Sequence, residues 1–276
     1  EGCVRREGWA LARATGSQFG RRTRGPFSED PLLMRSFVEG VDVHRRTASQ
    51  LFEVPEAEVD AKQRNVGKTV NFATIYGQGA TALAQQLGIE RKDAKAYIDR
   101  YFERYAKVKE WVDRTVADAL VNKYVETILG RRRYVPELSS NNFTDRSYGE
   151  RIAANTPIQG SAADLCKVAM LQIDAAMRGA KLEAKMLLQI HLAQVDLEHR
   201  HLCRVAMPQL GGAMRGATRE ATMLLQIPDE LLLGCPPAEL TTLEEIARDR
   251  MQHALPLRVP LVVDVGHGAS WAEAKE

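Results

Sequence analysis

Hydrophobic residues recur with a helical period through much of the first half of the chain. The longest such region covers residues 90–123, and a shorter one begins at Pro31. Apolar residues that repeat about every 3.6 positions form one face of a helix, and that face packs against a core. We therefore predict amphipathic helices in both regions, with these residues facing inward: Leu33, Phe37, Val38 and Val41, then Ala94, Tyr97, Tyr101, Tyr105, Val108, Trp111, Val112, Val116 and Leu120.

The alternation that is typical of β-strands occurs in two later segments. Residues 124–135 predict a hairpin with strands on either side of residues 129–132, and the apolar residues of 257–265 share one face of a strand. Residues 1–27 show neither period, and they contain six arginines but only two acidic residues. A disordered basic tail is one interpretation of that segment.

A pattern of cations and aromatic residues lies within the helix that we expect after Asp60 and before Gly77. Four residues recur at every fourth position: Arg64, Lys68, Phe72 and Tyr76. Each such step turns a helical residue by about 40°, so the four form a slanted stripe about 18 Å long. Two cations followed by two flat rings suit a ligand with a polyanionic end and a stackable end, such as a nucleoside triphosphate. An ordinary amphipathic helix that happens to carry two cations is the alternative.

Two polar clusters follow the predicted helices. Three consecutive arginines stand at the hairpin turn: Arg131, Arg132 and Arg133. Three polar residues then lie four apart on a predicted helix that Pro157 should kink: Arg151, Asn155 and Gln159. Clustered guanidinium groups neutralise phosphates, and amide side chains donate to and accept from base edges in a minor groove. Both clusters favour a nucleic-acid contact, with a solvated turn and a polar surface stripe as the alternatives.

The spacing R-x3-K-x3-F-x3-Y-G of the stripe resembles motif B of the family A DNA polymerases, the bacterial DNA polymerase I type. The surrounding segments DVHRRTA, YFERYAKV, ETILGRRRYVP and ERIAANTPIQGSAAD occur in that family's order, from residue 28 to about residue 190. The resemblance implies an α+β fold with an antiparallel palm sheet and a helical fingers lobe. It divides the chain into a palm segment at 1–31, fingers at 32–123 and further palm at 124–276, with a duplicated insert at about 191–227.

The resemblance also implies roles for individual residues. It assigns the nucleotide to the stripe and to His44, although a lone histidine is more often a structural group. It assigns primer–template DNA to the arginines of the hairpin turn and to the later polar stripe. Catalysis would fall to Asp229, Glu230 and Lys68, with Asp229 as a ligand of Mg²⁺.

The two segments that should carry the metal carboxylates depart from the family's pattern. Residues 14–22 read ATGSQFGRR, which matches the first of these, motif A, at Ser17, Gln18 and Arg22 but has Thr15 where the family has aspartate. Residues 172–190 and 209–227 are a tandem duplication that matches at 13 of 19 positions. The second copy leads into Asp229, where the family has motif C. We therefore expect the two-ion Mg²⁺ site to be incomplete and the activity to be impaired.

Composition and charge limit the class of protein and its location in the cell. The 276 residues carry a net charge of +2, four widely spaced cysteines and no apolar run that approaches the ~20 residues of a membrane span. We therefore predict a cytoplasmic monomer without membrane contact, and a fragment or truncated product, because the family's upstream parts have no counterpart here. The sequence points to a DNA-directed DNA polymerase that acts on primer–template DNA and deoxynucleoside triphosphates. A non-catalytic DNA- or nucleotide-binding module and a decayed gene product without function stay open.

Overall fold

A computed structural model of the chain describes residues 9–15, 27–190, 230–270 and 273–275. The chain divides into two compact units and passes from one to the other four times, once within a long helix, between Asp164 and Leu165. The sheet unit comprises Glu1–Ser17, Leu165–Leu255 and Val262–Glu276, and the helical unit comprises Gln18–Asp164 and Pro256–Leu261. Among the described residues, no helix combines the length and the hydropathy that a bilayer crossing requires.

The sheet unit is built on a four-stranded antiparallel sheet. Its strands are β1 (Ala10–Thr15), β4 (Lys185–Ile190), β5 (Glu230–Cys235) and β6 (Asp264–Gly268). They lie in the order β4, β5, β1, β6. Helix α8 (Leu240–Gln252) packs on β1 and β6 through a face that buries Leu243, Ala247 and Met251. An antiparallel sheet together with many helices confirms the α+β prediction.

Strand β1 corrects one interpretation of the N-terminal segment. Residues 10–15 lie between two partner strands, and Leu11, Ala12 and Ala14 are buried. The interpretation of residues 1–27 as a disordered basic tail is therefore wrong for residues 10–15. Thr15 is buried as well, so β1 buries two adjacent pairs of residues, and this is why the strand lacked a clear hydrophobic alternation in sequence.

The C-terminal strand lies later than its sequence pattern predicts. The predicted strand covered residues 257–265, but β6 begins at Asp264. The side chains of this segment are nevertheless buried in alternation: Val259, Leu261 and Val263 are buried, whereas Val262 is exposed. Pro260 has no backbone N–H to give to a ladder, so this extended segment can bury alternate side chains without pairing as a strand.

The helical unit contains α1 (Pro31–Val38), α2 (Val43–Phe52), α3 (Ala61–Ile75), α4 (Ala80–Leu87), α5 (Arg91–Arg104) and α6 (Ala106–Asn122). The predicted helix at 90–123 is confirmed as two helices, α5 and α6, which meet at Tyr105. That residue has φ −108° and ψ 59° and is buried against Tyr101, with ring centres 4.9 Å apart. The break occurs without a proline, because a buried aromatic residue holds the junction.

The helical unit also contains the predicted hairpin and the first part of the longest helix. Strands β2 (Tyr124–Glu126) and β3 (Arg132–Tyr134) pair antiparallel, which confirms the hairpin. A 3₁₀ turn at Pro136–Ser139 leads to α7 (Phe143–Gly179), which contains Pro157. The family-based boundaries at residues 31 and 123 stay predictions.

Candidate functional site

Helix α3 carries the stripe of cations and aromatic residues, and its start is fixed as the sequence predicts. Asp60 accepts a hydrogen bond from the N–H of Gln63 at 2.7 Å, and the side chain of Gln63 accepts the N–H of Asp60 at 3.0 Å. This reciprocal pair is a capping box. At the other end Tyr76 is the C-cap, and Gly77 follows with φ +61°, a conformation that favours glycine.

The two aromatic residues of the stripe form a stacked pair. The rings of Phe72 and Tyr76 have centres 6.0 Å apart and planes inclined by 10°. Tyr76 is 40% exposed, so one end of the pair reaches the surface. Lys68 is exposed, and the described part of the chain gives its ammonium group no hydrogen bond or ion pair. The structure therefore preserves an available cation and a stackable surface on one helix.

Arg64, the first cation of the stripe, is held by another helix. Its Nε donates to Oδ2 of Asp42 at 2.6 Å, and the two side chains are 42% and 35% exposed. Asp42 also caps α2 through its other oxygen. The sequence analysis missed this contact, although an aspartate directly before the helix start at VHRRTA is a recognisable N-cap signal.

His44 belongs to a buried polar network. The side chain is 4% exposed, and its Nδ1 lies 3.0 Å from the Nδ2 amide of Asn71, which also donates to Oγ1 of Thr47 at 3.0 Å. Its ring centre lies 5.9 Å from that of Phe72. His44 therefore packs beside the aromatic end of the stripe, and its assignment to the nucleotide site stays a prediction.

The three arginines that the sequence predicted at the hairpin turn have different surroundings, and two of them, Arg132 and Arg133, lie in β3. Nε and Nη2 of Arg131 donate to Oδ1 of Asp164 at 3.0 and 2.9 Å, and Nη2 also donates to the carbonyl of Gly160 at 3.1 Å. Asp164 is buried and its Oδ2 has no hydrogen-bond partner among the described residues. Arg131 is thus bound to α7 through a nearly fully buried carboxylate.

Arg132 and Arg133 lie on opposite faces of the hairpin, because side chains alternate along a strand. Nη1 of Arg133 donates to Oγ1 of Thr156 on α7 at 3.3 Å. Nε of Arg132 donates to the Glu126 carboxylate at 2.8 Å, and its guanidinium carbon lies 4.5 Å from the ring centre of Tyr124. Both partners of the Arg132 pair are about half exposed, at 55% and 43%.

The polar stripe of α7 contacts the end of the cation–aromatic helix. Nδ2 of Asn155 donates to the backbone carbonyl of Tyr76 at 3.1 Å, whereas Oδ1 of Asn155 is buried and has no partner within the described ranges. Arg151 is exposed, but its aliphatic part lies against Gly77, and its guanidinium carbon lies 5.6 Å from the ring centre of Tyr148. Gln159 is half-buried. Two candidate DNA contacts therefore touch the residues that end α3.

In the sheet unit, a row of three residues crosses neighbouring strands. Thr15 pairs with Glu230 on one side and with Asp264 on the other. Directly opposite residues of antiparallel strands place their side chains on the same face. Glu230 is buried, and its Oε1 lies 2.6 Å from Nε of Arg13, which the sequence analysis did not single out.

The described residues alone do not fit a metal site. No group of three or more histidine, cysteine, aspartate or glutamate side chains among them could hold an ion. The row offers a hydroxyl at Thr15, a glutamate that is already paired with a guanidinium, and the exposed carboxylate of Asp264. Asp229, the predicted ligand, lies outside the described residues, as do Ser17, Gln18 and Arg22.

Comparisons with known proteins cover nearly the whole chain. The family model of DNA polymerase family A matches residues 3–193 and 200–273. A thermostable DNA polymerase I from Thermus filiformis is 38% identical over 273 residues, 99% of this chain and 28% of that protein. DNA polymerase I from Bacillus subtilis is 38% identical over 267 residues, 97% of this chain and 26% of that protein. The chain thus spans little more than a quarter of these curated relatives.

A solved structure has the same fold. The POL domain of Pol1 from M. smegmatis, in complex with DNA primer-template and dNTP, superposes with a TM-score of 0.82 and is 36% identical in sequence. The match covers 99% of this chain and 42% of that one. At 36% identity, this chain resembles that domain in sequence as well as in fold.

Proposed function

Because the chain belongs to DNA polymerase family A, we propose that it serves in template-directed addition of deoxynucleotides to the 3′ end of a primer. The observation that carries this proposal is the α3 stripe, on which an available ammonium group and a stacked aromatic pair follow one another. Primer–template DNA and a deoxynucleoside triphosphate would be the partners, as in the solved relative's complex. A monomer in the cytoplasm is the assembly and the location that we propose.

The stripe would bind the triphosphate at its cationic end. Lys68 supplies a point charge, and Arg64 supplies a planar guanidinium that can contact phosphate oxygens in pairs. The stacked rings of Phe72 and Tyr76 offer a flat surface to the sugar and base, with Tyr76 at the exposed end. We assign Lys68 a further role in catalysis, because it is the stripe's cation without a protein partner in the described ranges and is free to follow the phosphates.

DNA would lie along the hairpin and the first part of α7. Arg132 is the hairpin arginine best placed to neutralise a backbone phosphate, because its protein partner is an exposed carboxylate that solvent already screens. Arg131 and Arg133, which are bound to α7, would act mainly by fixing the hairpin. Arg151, Asn155 and Gln159 would contact the primer–template from α7, where amide side chains suit a minor groove.

We propose Asp229 as a ligand of Mg²⁺, with Glu230 as its neighbour, and a slow reaction. Bound Mg²⁺ would supply charge stabilisation at the transferring phosphate. The described part of the sheet places a neutral hydroxyl at Thr15 and pairs Glu230 with Arg13, so we propose that the two-ion site is incomplete. This arrangement also favours a second candidate function, a module that binds DNA and nucleotide without transfer.

Primer extension separates these functions. The purified chain is incubated with a labelled primer–template, all four deoxynucleoside triphosphates and either Mg²⁺ or Mn²⁺, and DNA binding is titrated in parallel. Slow extension that Lys68→Ala abolishes supports the polymerase. DNA binding without extension in either metal identifies the non-catalytic module. Absence of both extension and binding identifies a product without function.

A further inference from the structure

The carboxylate of Asp42 serves two helices at once. As the N-cap of α2, its Oδ1 accepts the backbone N–H groups of His44 at 3.0 Å and Arg45 at 3.2 Å. Its Oδ2 accepts Nε of Arg64 on α3 at 2.6 Å. Both oxygens are therefore engaged, and one residue joins the start of α2 to the first cation of the stripe.

The two helices pack too closely beside this carboxylate for the contact to shift freely. A Cβ atom at Gly67 would lie 2.4 Å from the carbonyl oxygen of His44 and 2.9 Å from the nitrogen of Ala48, so only glycine permits this approach. One turn further along α3, Asn71 is hydrogen-bonded to Thr47 of α2. Because α3 is held on α2 at two successive turns, the backbone positions of Asp42 and Arg64 are fixed relative to each other.

The bond to Asp42 uses only part of the guanidinium group. It engages Nε and leaves both Nη groups, with four N–H donors. The Arg64 side chain is 42% exposed and makes no other side-chain hydrogen bond within the described part of the chain. Fixing Nε restricts the rotation of the group, while both Nη groups have no hydrogen-bond partner among the described residues.

Asp42 holds its charge at neutral pH. Partial burial raises the pKa of the carboxyl group, but the hydrogen bond and charge of Arg64 and the two backbone N–H groups lower it by more, so the pKa lies below its ordinary value. The ion pair is therefore formed under the conditions in which a triphosphate carries its full charge.

We propose that Asp42 is a positioning residue for triphosphate binding, which pins Nε of Arg64 so that the two Nη groups are ready for a paired contact with phosphate oxygens. The proposal rests on the proposed function. Arginine loses much rotamer entropy when a ligand immobilises it, and a side chain that is already pinned loses less. The negative charge of Asp42 opposes this gain, but solvent screens it because both side chains are more than a third exposed. Pinning is therefore the larger effect.

The test is a substitution that keeps the cap of α2 and removes the hydrogen bond from Nε of Arg64. Asn caps helices as well as Asp does, so Asp42→Asn leaves α2 capped, but its amide cannot accept the Nε hydrogen while its oxygen caps. Calorimetric titration with deoxyadenosine triphosphate is compared with titration by deoxyadenosine. We expect Asp42→Asn to weaken triphosphate binding about three- to tenfold and to leave nucleoside binding unchanged.

The matched control is Asp60→Asn, the same change at the exposed N-cap of α3, whose side chain accepts the N–H of Gln63 and makes no hydrogen bond to a cation of the stripe within the described ranges. It should leave both affinities unchanged. In Arg64→Ala the Asp42 carboxylate has no guanidinium to hold, so adding Asp42→Asn to that variant should weaken triphosphate binding no further. If Asp42→Asn fails to fold, Asp42→Ser provides the same test, because serine also caps without pairing with the arginine.

The outcomes separate this inference from the proposed function. Triphosphate binding that Arg64→Ala weakens but Asp42→Asn leaves unchanged or strengthens overturns the role of Asp42 alone. Additive losses in the double variant also overturn it, since they show that Asp42 acts independently of Arg64. Absence of triphosphate binding by the unmodified chain overturns both the inference and the nucleotide role of the stripe.

Discussion

Replacing Arg131 should destabilise the protein far more than replacing its neighbour Arg132. Arg131→Ala removes the partner of Asp164, whose side chain is 6% exposed and whose Oδ2 has no partner within the described ranges. Breaking a buried ion pair costs about 3–5 kcal/mol because the remaining charge is stranded. The Arg131 side chain is 46% exposed, so water can replace it in part, and a loss of about 2–3 kcal/mol is the better expectation.

The melting temperature measures this difference directly. For a chain of this size, about 2–3 kcal/mol lowers the midpoint by about 4–12 °C, as measured by scanning calorimetry or circular dichroism. Arg132→Ala is the matched control because it removes the same charge from the adjacent position. Its ion pair with Glu126 is about half exposed on both sides, so it should lose less than about 1 kcal/mol.

Removing both charges should restore most of the stability. Arg131→Met combined with Asp164→Leu replaces the pair by apolar groups, and such a replacement leaves no buried charge behind. A midpoint for Arg131→Ala no lower than that for Arg132→Ala would refute the reasoning. A double variant as unstable as the sum of its single changes would refute it too.

Several other perturbations have defined outcomes. Lys68→Ala should weaken binding of a triphosphate much more than binding of the corresponding nucleoside, because the lost partner is phosphate charge; equal losses in a titration would show that the residue does something else. Thr15→Asp should raise primer extension above that of the unmodified chain, and adding Asp229→Ala should abolish the gain; no gain would mean that position 15 takes no part in the reaction. Gly67→Ala should lower the melting temperature by several degrees, because its Cβ would meet backbone atoms of α2; an unchanged midpoint would show that the helices can separate without loss. Burial raises the pKa of Cys235 to about 11, so its thiol should resist alkylation at pH 8 in the folded protein and react rapidly in urea; equal rates would contradict its burial.

Binding of primer–template DNA should weaken steeply with salt. Each phosphate contact that is lost reduces the slope of log K against log salt by about 0.9 for a duplex. Arg132→Ala should reduce this slope, whereas Arg131→Ala should reduce it less because its guanidinium is committed to Asp164. The measurement is a binding titration at several ionic strengths. Equal slopes for the two variants would show that commitment to Asp164 does not keep Arg131 from the DNA.

The sequence by itself determined the local elements and the family. Helical periodicity located α5 and α6, alternation located the hairpin, and Asp60 marked the start of α3, because each of these signals depends on residues within a few positions of one another. The motif order indicated family A and an α+β fold for the same reason, since motifs are local strings. The stripe on α3 was readable because its four residues share one helix.

Only the tertiary structure decided what these side chains contact. Arg13 and Glu230 are 217 positions apart, and their ion pair depends on the register of two strands that no local pattern encodes. The three hairpin arginines look alike in sequence. The packing of the hairpin on α7 gives Arg131 the buried carboxylate of Asp164 as a partner, whereas Arg132 lies on the outer face. Alternating apolar residues at 257–265 predicted a strand, but alternating burial needs only a neighbouring core, whereas a strand needs a partner for each backbone group. The sequence carries the periodicity of a segment, and only the folded chain supplies its neighbours.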